Sequence, residues 1–179
     1  GIVRSSADAI NFGTGGVTLL ASSTVDTTND GAAGSEAGNN ITFGGTVTDG
    51  AGTFNLGLNA GTGGAIAGTA VDAAGAVTIN NLTITNAASA SFAGNVQVND
   101  LITTANPYTV SLTGATNTFA QNVDFLNTGV GASVTLGDAA GTDTFLFNGG
   151  LAFTGNAASN VGGIVRSSAD AINFGTGGV

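Results

Sequence analysis

Short runs of alternating apolar and polar residues recur along this chain, separated by clusters of Gly, Asn and Asp. In SFAGNVQVN, Phe92, Gly94, Val96 and Val98 fall on one side, and Ala93, Asn95, Gln97 and Asn99 on the other. In FLFNGGLAF, Phe147, Gly149, Leu151 and Phe153 alternate with their neighbours in the same way. A period of two with polar partners predicts half-buried strands. Further strand-like runs cover 53–58, 76–85, 108–114 and 132–138, and the clusters between them predict turns.

The runs repeat. INFGTGGVTL from Ile10, ITFGGTVTD from Ile41, GAIAGTAVD from Gly64, ASFAGNVQV from Ala90, NTFAQNVDF from Asn117 and FLFNGGLAF from Phe145 share one pattern. INFGTGGV from Ile172 begins the cycle again. The starts are 31, 23, 26, 27, 28 and 27 residues apart, an average of 27. A longer repeat encloses them, because GIVRSSADAINFGTGGV occupies residues 1–17 and recurs unchanged at 163–179, a step of 162 residues. The expected organisation is one full period at 1–162 and the start of the next at 163–179, as in a window on a tandem array.

A unit of this size with two or three short strands cannot bury its apolar side alone, but stacked on its own copies it can. The predicted fold is therefore all-β: a parallel β-solenoid, or β-helix, of about six coils of ~27 residues per 162-residue repeat. At ~4.8 Å per coil, six coils advance about 29 Å. One inward ladder is expected from Phe12, Phe43, Ile66, Phe92, Phe119 and Phe147, and a second from Val17, Val47, Ala70, Val96, Val123 and Leu151. Gly45, Gly68, Gly94 and Gly149 lie between the two ladders, where a strand bends at a corner. Asn side chains at stacked positions are expected to form amide ladders. Coil lengths vary because loops bulge from corners, and residues 23–40 read as a protruding acidic loop.

Composition narrows the chemistry. Charged residues make up 7% of the chain, against roughly 25% in ordinary soluble domains. Arg4 and Arg166, the same position of the repeat seen twice, are the only side-chain cations; with 11 acids the net charge is −9. An acidic chain of this kind is a poor partner for nucleic acid, and no apolar run is long enough for insertion into a membrane as a helix. Lys, His and Cys are missing. That removes the usual triads, thiol nucleophiles, Schiff bases and zinc sites, so no catalytic residue is assigned and no enzyme is expected. No metal site is assigned either. Calcium is the one cofactor the inventory leaves open, through Asp26, Asp30 and Glu36, or through GDAAGTDTF at 137–145, which resembles one copy of a calcium-binding nonapeptide.

The segments ITFGGTVTDG, NNLTITNAASASFAGNVQVND and NTFAQNVDF resemble very large bacterial surface proteins: the β-strand-repeat and filamentous-haemagglutinin-like exoproteins, and the adhesin or autotransporter passengers of that type. The coil here is longer than the roughly 20 residues usual in those families. The resemblance implies a structural segment of a long extracellular fibre or adhesin stalk at the cell surface, serving adhesion or biofilm. The partners it implies are adjacent copies end to end, with other fibres or a cell surface beside them. The alternative is a binding module that displays loops such as 23–40 for glycan or surface adhesion, stabilised by calcium.

Overall fold

A computed structural model describes residues 1–50, 52–71, 79–138 and 140–179. It is a β-solenoid of about 7 turns with a spacing of about 24 residues, built from parallel sheets, with no helix among the described residues. The first coil carries β1 (Ile2–Arg4), β2 (Ile10–Asn11) and β3 (Val17–Thr18), and the second β4 (Ser23–Asp26), β5 (Ile41–Phe43) and β6 (Val47–Thr48). The third carries β7 (Leu56–Asn59) and β8 (Ala65–Gly68), with Val71 bridging as its third rung. The fourth holds β9 (Asn81–Asn86), β10 (Ser89–Phe92) and β11 (Gln97–Val98), and the fifth β12 (Asp100–Thr103), β13 (Thr109–Leu112) and β14 (Thr116–Phe119). The sixth holds β15 (Val123–Asp124), β16 (Ser133–Leu136) and β17 (Thr144–Phe147), and the seventh β18 (Leu151–Ala152), β19 (Ala158–Val161) and β20 (Ile164–Ser167). β21 (Ile172–Asn173) opens an eighth.

Three faces result. Face 1 is the sheet β1-β4-β7-β9-β12, with β15-β18-β21 continuing below it. Where those two sheets part, the buried Thr103 hydroxyl accepts from Leu126 N at 2.8 Å and donates to Asp124 O at 3.2 Å, standing in for the backbone ladder. Face 2 is the unbroken run β2-β5-β8-β10-β13-β16-β19. Face 3 joins β3-β6 through Val71 and Val96 to β11-β14-β17-β20.

Ring stacking shows the repeat directly. Phe12 lies on Phe43 and Phe119 on Phe147, each pair 4.8 Å apart, at 3° and 12° between planes. That is the spacing of neighbouring parallel strands, so the aromatic columns follow the backbone ladder. The columns differ from the two ladders expected above. On face 2 the register runs Phe43, Gly68, Phe92, Leu112, Leu136. Ile66 belongs to the adjacent inward row with Ile41, Ala90 and Val110, two residues out of step with the Phe positions it was aligned with. Phe119 and Phe147 stack with Val98 on face 3, not with Phe92.

The second ladder divides too. Val17, Val47, Val71 and Val96 line face 3, with Val71 in the place expected of Ala70. Below them the column continues through Asn117, whose Oδ1 accepts from Val96 N at 2.9 Å and whose Nδ2 donates to Gly114 O at 2.6 Å. Both ends of this fully buried amide are thereby satisfied. Val123 and Leu151 pair with each other on face 1, above Ile172. The coil count changes for the same reason: about seven turns replace six, because the shared motif moves from face 2 (β2, β5, β8, β10) to face 3 (β14, β17) and then to face 1 (β21).

Glycine permits two kinds of close approach. A Cβ on Gly94 would run into the carbonyl of Thr69 in the preceding coil, and nothing there can yield because it is backbone. Gly68 makes room within the Phe column: its missing Cβ would stand 2.6 Å from Cδ1 of Phe92. A corner column of amides also forms, Asn80 Nδ2 donating to Asn55 Oδ1 at 3.0 Å and Asn99 Nδ2 to Asn80 Oδ1 at 3.1 Å. The predicted run at 76–85 is strand from Asn81, and its residues 76–78 lie outside the described ones.

Gly68→Ala is expected to destabilise the fold by about 1–3 kcal/mol through overpacking against Phe92. Gly68→Ala with Phe92→Leu is expected to cost less than the two single changes together, because the smaller side chain relieves the same clash. Urea unfolding of the four proteins measures this, and simple additivity would show that the two residues do not compete for one space.

Candidate functional site

A dense polar arrangement is built at the end of β4, where Val25 faces the core and the chain leaves face 1 at Asp26. Asp26 is 2% exposed, and its carboxylate is fully engaged. Oδ1 accepts from Thr28 N at 2.9 Å and Thr28 Oγ1 at 2.7 Å. Oδ2 accepts from Asp30 N at 2.7 Å and Arg4 Nε at 2.9 Å. The Arg4 guanidinium also reaches Asp30 Oδ1 at 3.5 Å. Burial by itself pushes the Asp26 carboxyl up, but the hydrogen bonds from Thr28, Asp30 and Arg4 together outweigh it and hold the group below its ordinary value of 3.8.

Asp26 thus shapes the corner that follows. Asn29, Asp30 and Gly31 run at φ of 51°, 63° and 74°, a left-handed stretch that the Asp26 bonds to Thr28 and Asp30 hold in place. Thr27 Oγ1 donates to Asn39 O at 2.8 Å and accepts from Asn39 N at 2.9 Å, tying the two ends of the excursion together. Asn39 Nδ2 then donates to Ala7 O in the coil above at 3.0 Å. The segment 23–40 was expected to protrude as one acidic loop. Its first four residues are instead strand β4, and its ends are sewn to the solenoid, with Thr27, Thr28 and Ser35 buried.

Beside this corner is a shallow hollow of about 380 Å³ lined by Asp30, Glu36, Asn59, Asn86 and Asn106 among others. The Oδ1 of Asn86 is itself buried beneath the surface, without a hydrogen-bond partner. Asp30 and Glu36 are the carboxylates at its rim, while Asp26 is spent on its own corner. Among the described residues no group of three or more His, Cys, Asp and Glu is arranged to hold a metal ion. In the nonapeptide-like stretch, Asp143 Oδ2 accepts from Asp138 N at 2.9 Å and Asp138 Oδ1 from Ala140 N at 2.7 Å, so both carboxylates close a turn. The sequence signal for the Asp26 corner was Asp-Thr-Thr-Asn-Asp-Gly itself, a run of residues that bond their own backbone. The pairing with Arg4, 22 positions earlier, had no local signal.

No protein-family model, curated protein or solved structure matches the chain.

Because the Asp26 carboxyl titrates lower in the fold than in the unfolded chain, its ionisation stabilises the protein above pH ~4 and that contribution is lost as the pH falls through the lowered value. Thr28→Ala removes one of its donors and is expected to raise the Asp26 titration, so that acid unfolding begins at higher pH. NMR titration of the carboxyl checks it; an Asp26 that titrates at the ordinary value in both proteins would refute the assignment.

Proposed function

We propose that this chain is a segment of a long extracellular fibre or adhesin stalk, made of tandem solenoid repeats and without enzymatic activity. The observation that carries this reading is the segment 163–179. It repeats residues 1–17 and continues the stack, β20 closing the seventh coil and β21 opening the eighth, with Leu151 paired to Ile172 and the ring of Phe153 5.5 Å from that of Phe174. Growth by such additions leaves open strand edges only at the two ends, so length adds little exposed edge. A net charge of −9 opposes side-by-side collapse of neighbouring fibres. The repeat character shared with bacterial surface exoproteins supports the cell surface as the location.

A second reading has the hollow beside the Asp26 corner as a contact site for a hydroxyl-rich surface such as a glycan. The carboxylates and amides that line it suit hydroxyl groups there. Glu36→Ala with Asn106→Ala then abolishes attachment to the glycan surface while fibre shape is kept.

Electron microscopy of the native assembly tests the main reading. Uniform rods of one coil's width are expected; compact particles would overturn it.

A further inference from the structure

Residues 1–17 and 163–179 are one coil seen twice, each time with the opposite side covered. At the start, its lower edge is paired: Ile2–Arg4 with β4, Ile10 with Ile41, Val17 with Val47. Its upper side is open there, and Val3 is 44% exposed at the rim of an apolar hollow of about 350 Å³ with Phe12, Val17 and Leu19. At the end, the upper side is the paired one. Val165, the counterpart of Val3, lies under Phe145; Ile172, the counterpart of Ile10, lies under Leu151; and Ser159 N donates to Gly178 O at 3.1 Å.

The inward residues are the same in both settings, and so is the local turn. Gly13 N donates to Asn11 Oδ1 at 2.7 Å, and Gly175 N to Asn173 Oδ1 at 2.8 Å. Gly13 and Gly175 both have φ of 65°. The face is what differs. Ile2–Arg4 belongs to face 1 and Ile164–Ser167 to face 3; Ile10–Asn11 belongs to face 2 and Ile172–Asn173 to face 1. One period falls one face short of seven turns.

From this, and resting on the reading of the chain as part of a fibre, we propose that the open upper end is the docking surface for a preceding copy of this same sequence, and that successive copies are rotated by about a third of a turn. The coil at 1–17 and 163–179 is the junction. Phe145, Phe147, Leu151 and Phe153 of the preceding copy close the apolar hollow, because they already do so over residues 163–179. On the lower side, Arg166 takes the role of Arg4 and meets Asp26 and Asp30 of the following copy. Each sheet of the fibre then passes from face 3 of one copy to face 1 of the next, and from face 1 to face 2. Three copies bring every feature back to its starting side, so the fibre offers the same chemistry in all directions.

Two experiments test this. In the Cys-free chain, Leu146→Cys with Arg166→Cys joins residues the rotated register places opposite each other. An unrotated register would set Arg166 beneath Ala152 on face 1 instead. A short bismaleimide is expected to cross-link L146C/R166C at least tenfold faster than A152C/R166C; the reverse order, or no reaction in either protein, overturns the junction. The second protein is the chain continued from Val179 through residues 18–179 twice more, with Ala33→Cys in each period carrying a gold label. Electron micrographs are expected to show labels about 32 Å apart along a rod, at ~4.8 Å per coil, on three successive sides. Labels in one straight row overturn the rotation and leave the fibre reading standing. A compact particle overturns the fibre reading, while the cross-linking result still decides the junction.

Discussion

Every coil here depends on parallel backbone pairing with the coils above and below it. A single coil has two or three strands of two to six residues and no partner within itself for their amides or for their apolar side. Stacking supplies both at once: the ladder hydrogen bonds saturate the backbone, and like side chains fall over like at one strand spacing. The 4.8 Å columns of Phe12 on Phe43 and Phe119 on Phe147 are that constraint expressed in side chains.

The same constraint governs the polar residues. Stacked Asn55, Asn80 and Asn99 hand a hydrogen bond from coil to coil, so an amide at a corner is satisfied by its own repeat. Asn117 sits at an inward position without cost because both of its polar atoms bond backbone groups at the adjoining corner. Tyr108 is handled likewise, its hydroxyl accepting from Thr104 N at 2.8 Å and donating to Ile84 O at 3.2 Å. Where a coil lengthens, as between β4 and β5, the extra residues need anchors of their own. Asp26 and Thr27 provide them, together with Arg4 from the coil above. The most structured polar corner of the described residues therefore lies at the longest excursion.

Local parity and turn chemistry were legible from the residues. Phe92, Val96 and Val98 point inward as their alternation requires, and the strands at 109–112 and 133–136 lie within the runs that predicted them. The face of each strand was not legible. All three faces demand the same alternation of apolar and polar positions, so a motif at Asn117 or Phe145 reads like the one at Ile41 although it lies on another side. The six spacings that average 27 therefore contained six coils of about 24 and, shared among them, two steps from face to face. The two-residue slip that separates Ile66 from the Phe column has a similar origin, since a shift of two keeps a side chain inward and leaves no trace in parity.

By itself the sequence determined that this chain is all-β, that its apolar side is buried by repetition, and that one seventeen-residue segment recurs without change. Those are properties of residue type and near-neighbour order. Tertiary structure alone decided how many residues close one turn, which columns the side chains join, and on which face the repeated coil comes to rest. These depend on corners such as Gly94 against the Thr69 carbonyl and Asp26 with Arg4. There, residues more than twenty positions apart must meet before either has a role.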